Sequence, residues 1–216
     1  MRDVGIVGLP QSGKTTLFNA LTRAGVPAGG AAGKASVAAV PVPDPRVDVL
    51  ADLERSRKRV FVQARFVDVA GLSAGGPGGW LAAQGPGGPG GSSLAPRYLG
   101  ALREADALAM VLAAWDETAD PVEAAAELTL ELTVADLESV TGGAEKAAKK
   151  ARAGVQDAAP EAEVLARARD LLDQRTPLRT AHWEPEEARV LRNFAPLTLK
   201  PALAVLNLAE ADAAAA

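Results

Sequence analysis

The sequence predicts an α/β fold: a mainly parallel sheet between layers of helix, with an antiparallel helical arm inserted late in the chain. Three observations predict it. Short apolar runs at Val4–Val7, Ala107–Ala113 and Pro201–Leu208 alternate with segments of helical spacing, the order that yields parallel strands joined by crossovers. The first run enters a glycine turn, "GLPQSGKTT", which opens directly into a helix. From about Pro121 to Pro196 the strand pattern vanishes and apolar residues recur at helical intervals only.

Each element has its own justification. Val4–Val7 is a strand, and Leu17, Leu21 and Ala24 give Lys14–Arg23 one apolar face. Residues 28–36, "AGGAAGKAS", show no period and read as a loop. "VAAVPVPDPRVDVLADL" gives a short strand, a proline-stiffened turn at Pro41–Pro45 and a helix from near Arg46. Phe61–Val69 alternates and runs apolar around Asp68, as a strand does. Residues 71–93 hold ten glycines and three prolines, too little apolar material to offset the entropy of ordering, and read as a flexible loop. Leu94–Ala105 reads as helix and Ala107–Ala113 as a buried strand.

In the arm, Leu130, Val134, Leu137, Thr141, Ala144, Ala148, Ala151 and Val155 are spaced four and three apart, the seam of a helix packed on a partner. Gly142–Gly143 within that seam reads as a hinge. Gly154–Pro160 breaks the pattern, and Val164, Leu165, Ala168, Leu171 and Leu172 mark the returning helix. Pro185 then opens a short helix, Glu186–Phe194, at the position where its missing N–H costs nothing. The domain plan is a first part over residues 1–122, a helical coiled-coil insertion over 123–195, and a return to the first domain over 196–216.

Composition narrows the function. At 216 residues the chain can bury a real core. A formal net charge of −4 gives no global attraction to DNA, RNA or an anionic membrane. With no cysteine, thiolate metal sites and disulfides are excluded. No apolar run approaches the roughly 18 residues of a membrane span, and the N-terminus breaks at Gly8 and Pro10, so a soluble cytoplasmic protein is expected. The close, "EADAAAA", follows the last apolar run at once and suggests an incomplete C-terminus.

The chemistry sits in three stretches. Gly8, Gly13, Lys14 and Thr15 satisfy G-x-x-x-x-G-K-[ST] between a strand and a helix, the context that pattern requires to cradle a nucleotide's phosphates. That makes the fold a P-loop NTPase three-layer sandwich. Gly13 lets backbone amides approach the anion, Lys14 supplies charge to the β and γ phosphates, and the Thr15 hydroxyl is placed to ligate Mg²⁺. Gln11, Ser12 and Thr16 complete the loop. In "FVDVAG", Asp68 ends an apolar strand and Gly71 follows three residues later, the carboxylate and amide that serve Mg²⁺ and the γ phosphate in such sites. In "NLAE", Asn207, Leu208 and Glu210 stand where a guanine-specific N-K-x-D would stand, without its lysine or aspartate. Guanine-specific recognition is therefore not expected and Asn207 remains available to adenine, although taken alone the tetrapeptide reads as a polar strand exit; a purine triphosphate with Mg²⁺ is the expected ligand and cofactor.

Together these stretches resemble the Obg-like ATPases of the YchF type. The segments "GIVGLPQSGKTTLFNALTRAG", "VPVPDPRVDVLADL", "FVDVAGL", "LREADAL", "ELTVADLESV" and "LTLKPALAVLNLAE" carry the likeness over essentially the whole chain. The resemblance implies ATP hydrolysis in preference to GTP, association with the ribosome, and a coiled-coil insertion where the arm lies. It implies that Gln11–Thr16 hold the triphosphate, that Thr15 and Asp68 serve Mg²⁺, and that Asn207, Leu208 and Glu210 form an adenine-favouring base site. Departures from the family are specific. Its first-switch threonine falls at or near Ala32, its preceding cysteine at Ala31, and Ser36 is the nearby hydroxyl. Its glycine-rich second switch is stretched across residues 73–93, where Gln84 lies; the only histidine is His182, beyond the arm. On this resemblance the family's last strand and C-terminal TGS domain are not expected within residues 1–216.

The arm's charge does not point to RNA: residues 123–193 hold ten bases against fourteen carboxylates, so the cluster Lys146, Lys149, Lys150 and Arg152 reads as a solvated face. Three readings stay open on sequence alone: a slow ATPase, a scaffold that binds nucleotide without cleaving it, and a GTP-binding protein.

Overall fold

The computed structural model describes residues 2–27, 35–69, 96–115, 118–156 and 158–213. Five strands, β1 (Arg2–Val7), β2 (Ala35–Pro41), β3 (Gln63–Val69), β4 (Ala107–Ala114) and β5 (Ala202–Leu208), form one sheet in the order β2-β3-β1-β4-β5. β3, β1, β4 and β5 run parallel, and β2 pairs antiparallel with β3 at one edge. The expected mixed α/β sandwich is what the chain forms.

Helix α1 (Lys14–Thr22) lies on one face, burying Phe18 against Ile6, Ala109 and Val111. Asn19 holds the chain after it by donating to the Val26 carbonyl at 2.6 Å and accepting the Val26 amide at 2.8 Å. Helix α2 (Pro45–Leu53) starts with Pro45 in its first turn and Asp44 as cap, the Asp44 carboxylate accepting the Arg46 amide at 3.0 Å. On the other face, α3 (Pro96–Glu104) and the first half of α4 (Pro121–Arg152) share a core. There Tyr98 and Leu102 meet Val7, Leu108 and Met110, with Leu128, Leu132 and Ala135 closing over them. Each fully buried leucine of this group contributes about 1.5–3 kcal/mol.

The second half of α4 leaves the sheet and packs against α5 (Ala158–Asp173), which returns alongside it, and against α6 (Pro185–Arg192). A third core forms here from Val140, Ala144, Ala147, Val164, Leu165, Ala168, Leu172, Leu178 and Leu191. Arg167 lies over the Trp183 ring, 4.3 Å from its centroid. The short helix α7 (Glu210–Ala213) follows β5.

Four sequence expectations need correction. The loop assigned to residues 28–36 gives way to strand at Ala35, because Ala35 and Ser36 continue the ladder opposite Val69 and Asp68. The strand begins at Gln63 rather than Phe61, and Val60 and Val62 stay exposed. The buried residues of α4 include Leu128, Leu132, Ala135, Asp136, Val140, Gly143, Ala144 and Ala147; of the expected positions Ala144 is buried and Leu137 packs against the arm's core at partial burial. The pattern shifts because α4 serves two partners in turn, the sheet and then α5, and no single heptad fits both. Val155 lies past the helix end and is exposed. Gly142–Gly143 is not a break: α4 runs through it, and a Cβ on Gly143 would stand 2.4 Å from the Phe194 ring, so that glycine admits an aromatic side chain.

The base of the arm is fixed to the entry of β5. Asp136, fully buried in α4, accepts the Leu197 amide at 2.8 Å and the Thr198 amide at 2.7 Å. Lys200 donates to the Arg103 carbonyl at 2.9 Å, and Arg179 to the Thr198 carbonyl at 3.2 Å. Burial pushes the Asp136 carboxyl above its ordinary range, against the pull of the two amides and of Arg103.

Candidate functional site

The P-loop joins the end of β1 to the start of α1. Its turn needs left-handed backbone at Gln11 (φ +64°) and Gly13 (φ +96°). Residues alternating into that region can turn consecutive amides toward one concavity, which favours an anion. Space is tight as well as curved: a Cβ on Gly8 would stand 2.5 Å from the Val111 carbonyl oxygen.

Lys14 folds back over the loop, its Nζ donating to the Leu9 carbonyl at 2.8 Å and the Gly8 carbonyl at 3.1 Å. Burial lowers its pKa, and attraction to Asp68 partly opposes that. Thr15, in the first turn of α1, donates its hydroxyl to Asp68 Oδ2 at 2.9 Å. Asp68 is buried near the end of β3, so hydroxyl and carboxylate from elements far apart in sequence face each other. Such oxygens suit a hard divalent cation, whose ligands are oxygens of carboxylates, hydroxyls, phosphates and water.

Asn207 reaches the same loop from β5, its Nδ2 donating to the Ser12 carbonyl at 3.1 Å and resting on Gly13. Among the other predicted residues, Ser12 is buried, and its hydroxyl has no hydrogen-bond partner. Gln11 and Thr16 are exposed at the loop and on α1. Leu208 is half-buried at the end of β5, and Glu210 is exposed at the start of α7; neither joins the Lys14, Thr15, Asp68 and Asn207 group by a hydrogen bond among the described residues. His182 pairs with Glu184 at 3.2 Å, beside α6. Gly71, Ala31, Ala32 and Gln84 lie outside the described residues.

Sequence reasoning missed Tyr98. It is buried on α3 near Asp68 and against the Gly8 backbone, with no well-aligned hydrogen bond through its hydroxyl. Burial, then the Asp68 charge, push its phenol well above the ordinary range. A cavity of about 230 Å³ opens beside the loop, lined by Leu9, Pro10, Ser12, Asp120, Glu123 and Glu127. Its carboxylates disfavour phosphate there.

Residues 3–152 match the model of a family described as 50S ribosome-binding GTPase. The chain belongs to that family. Within it the likeness is to the YchF type. The ribosome-binding ATPase YchF of Haemophilus influenzae is 32% identical over 217 residues, 95% of this chain and 56% of that protein. The protein of the same name from Bacillus subtilis is 31% identical over 221 residues, 97% of this chain and 57% of its own length. The structure of the Schizosaccharomyces pombe YchF GTPase superposes with a TM-score of 0.73 at 25% identity, covering 98% of this chain and 57% of that one. The chain thus spans a little over half the length of these relatives. The family makes it a P-loop nucleotide-binding protein. No helix among the described residues is long and apolar enough to cross a membrane.

Proposed function

We propose that this chain binds a purine nucleoside triphosphate with Mg²⁺ at the P-loop and hydrolyses it slowly, with ATP preferred over GTP, in association with the ribosome. The observation that carries the reading is the 2.9 Å contact between Thr15 and Asp68, beside a lysine whose ammonium is held on the loop's own carbonyls. On this reading Lys14 exchanges those carbonyls for phosphate oxygens, and the amides of residues 11–16 hold the rest of the triphosphate tail. Thr15 and Asp68 would hold Mg²⁺, which when bound neutralises phosphate charge; the Gly71 amide, three residues past Asp68 in sequence, would serve the γ phosphate. Asn207, Leu208 and Glu210 would face the base, and the absence of an N-K-x-D carboxylate argues against guanine. Slow turnover follows because phosphoryl transfer depends on positioning, and alanine stands at the family's first-switch threonine. The relatives named ribosome-binding ATPases support the partner and the nucleotide.

Calorimetry with ATP, GTP and ADP in Mg²⁺, beside single-turnover phosphate release, tests this. Wild type should bind ATP and release phosphate slowly, and Lys14→Ala should do neither. Binding without release would favour the scaffold reading, and tighter GTP binding would overturn the base assignment.

A further inference from the structure

Gly8 has no side chain to fill the space between the P-loop and β4, and Ser12 turns into that space. A Cβ on Gly8 would stand 2.6 Å from Ser12 Oγ and 2.5 Å from the Val111 carbonyl oxygen. The Ser12 hydroxyl thus lies on the β4 side of the loop, where the cavity of about 230 Å³ opens between the loop, Val111 and Ala113 of β4, and the start of α4. Only 2% of Ser12 is exposed, and its hydroxyl has no partner. Buried polar groups are nearly always paired, so an orphaned one facing a cavity marks a place for a ligand atom.

The α4 wall of the cavity is acidic. Asp120 caps the helix through Oδ1, which accepts the Val122 amide at 2.8 Å and the Glu123 amide at 3.2 Å. Asp120 Oδ2 and the Glu123 carboxylate make no hydrogen bond among the described residues. Glu127, one turn further on, lines the same wall but has an interaction of its own. Such a wall calls for a cation, and the rest of the lining selects its kind. No three acidic or histidine side chains among the described residues are grouped as a metal ion requires. Leu9, Pro10, Ala119 and Ala124 add apolar surface, which suits a weakly hydrated planar cation with several donors on its edge better than a compact, strongly hydrated ammonium.

We propose that this cavity binds a guanidinium group, whose N–H edge donates to Asp120, Glu123 and the Ser12 hydroxyl. None of Lys14, Thr15, Asp68 or Asn207 lines the cavity, so the site goes beyond the nucleotide reading and does not depend on it. An arginine side chain of a protein and a free arginine-like molecule both carry the group.

The test uses the full chain, isotopically labelled and free of nucleotide, with the Ser12, Ala119 and Ala124 amides followed by NMR at constant ionic strength. The probes are methylguanidinium, methylammonium, free arginine, N-acetyl-arginine methylamide and its neutral citrulline counterpart. Methylguanidinium and both arginine compounds should give saturable shifts at these amides. Asp120→Asn combined with Glu123→Gln should weaken methylguanidinium binding about tenfold or more, as losing bonds to charged groups does. Asparagine still caps the helix, and the same spectra show that the variant is folded. Ser12→Ala should weaken binding about three- to tenfold. Tighter binding of the capped arginine would support the site and assign it to a protein side chain; tighter binding of free arginine would support it and assign a small molecule. Absence of saturable shifts, equal shifts from the citrulline compound, equal affinity for methylammonium, or undiminished binding to the double variant would each overturn the assignment. None of these results bears on the nucleotide reading, which calorimetry with ATP tests separately.

Discussion

Gly13 and Asn207 test the site through stability, independent of any ligand. Gly13 sits at φ +96°, where a side chain costs about 1–3 kcal/mol in backbone strain. A Cβ there would also stand 2.2 Å from Asn207 Nδ2 and 3.1 Å from Asn207 Cγ, both too close. Asn207 must then leave, and its 3.1 Å hydrogen bond to the Ser12 carbonyl goes with it, a further loss of about 1 kcal/mol. Gly13→Ala should therefore cost about 2–4 kcal/mol in total. Gly25→Ala isolates the strain: φ is +65° and nothing lies within 4 Å of its Cβ, so about 1–2 kcal/mol is expected. Asn207→Ala removes the obstacle, so Gly13→Ala should cost about 1 kcal/mol less in that background than in wild type. Urea denaturation of the four proteins in the cycle measures this. Strict additivity would refute the reasoning, since it would mean that Asn207 does not rest on the loop.

Two further outcomes concern buried polar groups. Asp136→Asn leaves one of the Leu197 and Thr198 amides facing an amide donor and should cost about 1–3 kcal/mol in urea melts at neutral pH. Because the folded-state pKa of Asp136 is raised, its contribution is fully present below the ordinary carboxylate value and is lost as pH rises through the raised one. Wild-type stability relative to Asp136→Asn should therefore shrink with rising pH across that window. Asp44, Asp106 and Glu187 are held low, so their effects set in only under more acid conditions. Tyr98→Phe removes a buried hydroxyl whose nearest partner, the Gly8 backbone, is poorly aligned, so stability in thermal or urea melts should change by less than about 1 kcal/mol; a loss of about 2 kcal/mol or more would show that the hydroxyl is firmly bonded.

The order of strands and helices, the P-loop and Asp68 were legible because each is written in contiguous residues: an apolar run, a glycine turn, a strand ending in acid. What stayed hidden depends on the tertiary arrangement. No local pattern announces that Asn207 will rest on Gly13, 194 positions away by number, or that Tyr98 will turn toward Asp68. The seam of α4 was misread because a heptad assumes one partner, whereas Leu128 and Leu132 serve the sheet and Val140 and Ala147 serve α5. Ser36 lies in a stretch, "AGGAAGKAS", with no period of its own, and its strand conformation comes from the ladder with β3.

The sheet's topology explains why these scattered residues meet. Parallel strands end on one edge, and that edge collects Gly8 after β1, Asp68 near the end of β3 and Asn207 in β5. An antiparallel strand brings its beginning to the edge where its neighbours end. β2 is the one such strand among those described, and Ser36 is its second residue. A fully parallel sheet would have placed that hydroxyl at the opposite edge. The reversal of β2 thus sets which of its side chains reach the edge that holds Asp68 and Asn207.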